Sequence, residues 1–143
     1  MFQELKTDRR RPLRHVRAGA VTVEFALTLP IMLLLVLGIM EFGRAMMVEQ
    51  MLTNAAREAA RCGVLDGSSD TEVRAAVADY LATGGIAATD VTITIDPADL
   101  TAARKGTAVS VELSVPYNSV SWVPTPWFLG NTTLSSECVM RHE

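Results

Sequence analysis

Twenty-one consecutive residues, Ala20 to Met40, carry a single charge, and no other feature of the chain limits its fold as much. The run reads AVTVEFALTLPIMLLLVLGIM, and from Phe25 onward it is apolar on every side rather than along one stripe. A helix apolar all round belongs in lipid or in the centre of a large protein. About 20 residues are needed to cross the hydrocarbon of a bilayer, and 143 residues leave room for one modest domain besides such an anchor. Residues 20–40 are therefore read as a transmembrane helix, with Pro30 a tolerable interruption. A secretory signal would show a small-x-small cleavage site after the run. Met40 instead leads into Glu41-Phe42-Gly43-Arg44, and the helical pattern continues.

Charge orients the span. Residues 1–19 hold six basic groups (Lys6, Arg9, Arg10, Arg11, Arg14, Arg17) and two acidic ones (Glu4, Asp8), a net of +4. Residues 41–143 hold thirteen acidic and seven basic groups, a net of −6. A basic tail abutting the only long apolar run marks the cytoplasmic side of a membrane segment rather than a nucleic-acid site. The expected organisation is a cytoplasmic basic leader (1–19), a transmembrane helix (20–40) and an extracytoplasmic α+β domain (41–143).

Beyond the span, Val48, Met51, Leu52, Ala55, Ala59 and Cys62 recur on one helical face, opposite Gln50, Asn54, Arg57 and Arg61, and Gly63 stands where a helix should stop. Met40, Met46, Met47 and Met51 read as packing surface, since no His or Cys pattern accompanies them to suggest a metal. Ser69 and Glu72 form a capping box before a second stripe (Val73, Ala76, Val77, Tyr80, Leu81) that Gly84-Gly85 ends. Three alternating segments follow: Val91/Ile93/Ile95, Val109/Val111/Leu113/Val115 and Leu134/Ser136/Cys138/Met140. Asp96–Gly106 joins the first two, and Pro116–Gly130, with three prolines and both tryptophans, joins the last two. The fold expected is α+β: one long N-terminal helix, with a short helix and a small antiparallel sheet packed on its upper half.

Cys62 lies on the helix face expected to meet the sheet, and Cys138 on the inward face of the last strand. Outside the cytosol they can pair as a disulfide, or each can act as a small buried apolar residue; the spacing leaves both readings open. Catalysis has no support. His15 lies in the basic tail, His142 stands next to the last residue, and the nucleophile, metal and phosphate-loop motifs are absent. The scattered carboxylates read as solvated surface. No cofactor and no metal are expected.

Glu24 is the one charge within the span, and an intramembrane carboxylate is a functional candidate by default. Gly19 precedes four residues, Ala20-Val21-Thr22-Val23, and then Glu24-Phe25. A glycine, four mostly apolar residues and an acid at the head of a span resemble the prepilin peptidase site of type IV pilin-like precursors, and Glu24-Phe25 resembles its Flp/Tad branch. The stretch Gly19 to Leu27, then Leu29-Pro30, Gly38 through Glu41-Phe42-Gly43-Arg44, and Ala55-Ala56-Arg57-Glu58-Ala59-Ala60-Arg61 is similar to the TadE/TadG-like family. Val139-Met140-Arg141, with an acid two residues on, is weakly similar to it as well. The resemblance implies a bacterial minor pilin or pseudopilin of the tight-adherence (Flp pilus) secretion system, with a type IV pilin-like fold. It places cleavage between Gly19 and Ala20, and peptidase recognition and assembly on Glu24 and Phe25. The implied partners are the prepilin peptidase, other pilin-like subunits and membrane lipid. A physical reason runs alongside: cleavage would free an α-amino group on Ala20 that can pair with Glu24, and a paired carboxylate is tolerated in low dielectric where a lone one is not. Two rival readings are an uncleaved single-pass protein with a ligand- or partner-binding ectodomain, and a domain secreted after signal peptidase cleavage.

Overall fold

The computed structural model describes residues 14–102, 104–124 and 126–142. The basic groups of the leader, and Glu143 at the other end, lie outside the residues whose side chains are described. Two compact units divide the chain, one ending at Leu37 and the other running from Gly38.

Helix α1 spans Arg14–Gly63 and continues through Pro30. Within the first unit its described side chains, from Gly19 to Leu37, are all exposed. The helix is long and apolar enough to cross a membrane, and the apolar segment that qualifies it has no part buried within the chain.

The second unit is α+β. It holds the upper part of α1, helix α2 (Asp70–Ala82), strands β1 (Thr92–Asp96), β2 (Ala108–Pro116) and β3 (Thr133–Arg141), and a four-residue helical turn, α3 (Tyr117–Val120). The strands form one antiparallel sheet in the order β1-β2-β3. The registers are fixed by pairs such as Ile93↔Leu113 and Val111↔Cys138. The middle strand is the core strand: Val109, Val111, Leu113 and Val115 are fully buried while Glu112 faces solvent, the alternation a one-sided sheet requires. Against it pack Val48, Leu52, Ala55, Ala56, Ala59 and Ala60 of α1 and Val73, Val77 and Leu81 of α2, all fully buried. Alanines along α1 let the helix backbone approach the sheet closely. Gly63 carries this to the limit, since a Cβ there would stand 3.3 Å from the Val109 side chain.

Local chemistry closes each helix. At the end of α1 the Ser68 hydroxyl donates to the Cys62 carbonyl at 2.5 Å. At the start of α2 the Ser69 hydroxyl accepts from the Glu72 N–H at 3.3 Å, and the Glu72 carboxylate accepts from the Ser69 N–H at 3.0 Å, satisfying two of the orphan donors of a helix start. Gly85, at φ +67°, takes the left-handed conformation that turns the chain out of α2.

The methionine expectation holds within the chain only for Met51, which packs against the core. Met40, Met46 and Met47 are exposed.

Cys62 and Cys138 are half-buried free thiols packed against the same core. A maleimide added to the denatured, unreduced protein should therefore capture two thiols per chain. A bridged pair would capture none until reduced.

Candidate functional site

Two groups of residues are candidates for function, and each lies within one unit.

The first is the head of the apolar helix. Gly19, Ala20, Glu24 and Phe25 are consecutive-turn residues of α1, all exposed. Ala20 and Glu24 are four apart and so share a helix face. The backbone carbonyl of Glu24 accepts from the Thr28 hydroxyl at 2.8 Å. A Cβ built on Gly19 meets nothing within 4 Å, so the fold itself places no steric demand for glycine there. Glycine costs a helix interior about 1 kcal/mol relative to alanine, so the helix is locally weaker at Gly19.

The second group lies just past the apolar run, on residues read from the sequence as part of a motif but given no role. Glu41 is 1% exposed and Arg44 5%. The reading of the carboxylates as solvated surface fails at Glu41 because its charge is fully used inside the second unit. Three successive backbone N–H groups converge on its carboxylate: Trp127 at 2.8 Å, Phe128 at 3.0 Å and Leu129 at 3.2 Å. Burial alone would raise this carboxyl, but those three donors stabilise the charged form more strongly and hold it below its ordinary value. The backbone carbonyl of Glu41 accepts from the buried Tyr117 hydroxyl at 2.9 Å.

One helical turn on, the Arg44 Nε donates to the Val120 carbonyl at 2.9 Å, and its guanidinium lies over the Trp122 ring, 4.8 Å from the centroid. The two charges thus hold the two halves of one connection. Arg44 takes the stretch at Val120–Trp122, and Glu41 takes Trp127–Leu129. Gly130 completes the turn, since a Cβ there would come within 2.8 Å of the Pro126 carbonyl oxygen.

The signal for this clamp was present in the spacing. Glu41, Arg44 and Ala45 extend the buried stripe Val48–Leu52–Ala55 backward at helical intervals. An acid and a base on a core face call for polar partners, and the longest connection of the chain supplies them.

Residues 19–61 match the family model described as TadE-like protein. The apolar helix and its extension are similar to that family. The match begins at Gly19 and stops two residues short of the end of α1, covering just under a third of the chain. Both groups on α1 fall inside the TadE-like segment, whereas the partners of Glu41 and Arg44, between Tyr117 and Leu129, fall outside it. No curated protein and no solved structure matches the chain.

Proposed function

We propose that this chain is a membrane-anchored minor pilin or pseudopilin of a bacterial tight-adherence (Flp pilus) assembly and secretion system. It acts as a structural subunit rather than an enzyme. Its leader, residues 1–19, stays in the cytoplasm, residues 20–40 cross the inner membrane, and residues 41–143 form the domain outside. A prepilin peptidase cuts between Gly19 and Ala20 and recognises Glu24 and Phe25. The new amine of Ala20 then pairs with Glu24 of its own or a neighbouring helix, and the subunit packs through its span with other pilin-like subunits.

The observation that carries this reading is the coincidence of three boundaries. The TadE-like match, the apolar run of the sequence and the glycine-to-acid motif all start at Gly19 or Ala20. Moving such a span from lipid into a helical fibre exchanges one apolar environment for another, so helix packing and the charge pair are what set its register.

The deciding measurement is the N-terminal residue of the protein recovered from membranes, read by mass spectrometry. Ala20 is expected. Met1 would leave a plain uncleaved anchor with a partner-binding ectodomain, and a start beyond Met40 would leave a secreted domain.

A further inference from the structure

Both tryptophans of the chain lie on the connection that Glu41 and Arg44 hold, and both face outward: Trp122 is 63% exposed and Trp127 73%, with Phe128 beside them at 54%. Exposed aromatics of this size on one short loop are unusual for a surface bathed in water. The loop is also built to keep them there. Three backbone N–H groups are fixed on Glu41, and Pro124 and Pro126 stiffen the stretch between its two anchor points.

Position along α1 says what covers them. The apolar run of 21 residues ends at Met40 and rises roughly 31 Å, which matches the ~30 Å hydrocarbon core. Glu41 is the next residue, and Arg44 lies only about 6 Å beyond Met40 along the helix axis. A bilayer's headgroup layer is about 5–8 Å deep on each side. The anchor points of the loop therefore fall within that layer. Phe128 stands directly against the last turn of the run, its ring 3.4 Å from where a Cβ on Gly38 would sit. Phe42, on the same turn as the clamp, is exposed as well. Tryptophan and other amphipathic aromatics favour this zone, where the ring meets the acyl boundary and the polar edge meets the headgroups.

We infer that the 121–130 loop is a second, peripheral membrane contact: Trp122, Trp127 and Phe128 sit in the outer headgroup layer at the mouth of the span, held at that depth by Glu41 and Arg44. The contact seats the folded domain on the lipid surface. It rests on the reading of residues 20–40 as a membrane span, and the test separates the two.

The two tryptophans make the chain its own reporter. The full-length protein is reconstituted into phosphatidylcholine–phosphatidylglycerol vesicles, with or without acyl chains brominated close to the headgroup. Blue-shifted tryptophan emission, quenched at least about twofold by the brominated lipid, is the expected result. Retention of the protein in the vesicles through alkaline extraction reports the span independently. Retained protein with water-like, unquenched emission would overturn the loop contact and leave the span intact. Blue-shifted emission that brominated lipid does not quench would also overturn it, in favour of packing against another copy of the chain. Protein lost on alkaline extraction would overturn both readings.

Discussion

Gly19→Leu should accumulate in membranes as full-length precursor, while Glu24→Ala should be cut to its mature size and fail afterwards. The two variants separate processing from assembly. In this structure Gly19 has open space around its Cβ position, so leucine leaves the helix and the folded domain unaltered. Any loss of cleavage then reports the proposed peptidase site, where Gly19 would have to be unwound and admitted. A single misfitting methylene already costs a tight pocket about tenfold or more, so leucine should slow processing by at least that factor. The uncut chain keeps its basic leader, and six cationic side chains cannot enter a packed apolar bundle unpaired. Glu24→Ala instead removes the one charge from the span and leaves insertion intact or improved. Its cost falls later, when the Ala20 amine lacks its counter-charge. A size comparison of membrane fractions, with immunodetection of surface material, reads both steps. Wild type running at full length, or both variants reaching the surface normally, would remove the physical basis of the pilin reading.

Glu41→Ala should release the loop that carries the tryptophans without unfolding the sheet. Alanine leaves the N–H groups of Trp127, Phe128 and Leu129 without their acceptor, and amide exchange at those three positions should accelerate by at least about tenfold. Residues of β2, buried between α1 and its neighbouring strands, should keep their protection. Glu41→Gln is the stringent control. It retains the shape and one acceptor oxygen but turns an N–H₂ group toward a donor, so it should release the loop almost as fully. Acid should imitate both variants. The folded state holds this carboxyl below its ordinary value, so the clamp is whole at neutral pH. It begins to weaken as pH falls below the ordinary glutamate value and is lost once pH passes the lower, folded one. Loop exchange that is unchanged in Glu41→Ala would show that Arg44, Tyr117 and the prolines suffice.

The same clamp marks where sequence reading stopped. Periodicity located α2 together with its Ser69–Glu72 capping box, the alternation of β2, and the α1 stripe from Val48 to Cys62, because each rests on neighbours in sequence or on a simple inside–outside repeat. Glu41 and Arg44 were visible as motif residues, yet an acid and a base at the end of an apolar run have the look of flanking charges. Their partners are backbone groups 76 to 88 residues away, and a backbone N–H has no letter in the sequence. The helical turn at Tyr117–Val120 was hidden for a related reason. It is too short for a period, and it is held from outside by the Tyr117 hydroxyl on Glu41 and the Val120 carbonyl on Arg44. The methionines are a different case. Met40, Met46 and Met47 continue an apolar surface that the chain itself does not cover, and composition alone cannot say whether a surface is covered from within or by a neighbour.

The separation between the clamp and its partners also imposes an order in time. A chain made from its N-terminus presents the Glu41–Ala60 face of its helix long before the residues that cover it exist. At about 5–20 residues per second, the interval from Glu41 to Leu129 lasts roughly 4–17 s. Throughout that interval the helix displays a small-residue stripe with an unmatched acid and base at its foot. A nascent chain that stalls before Phe128 retains that signature, whereas a finished one conceals it.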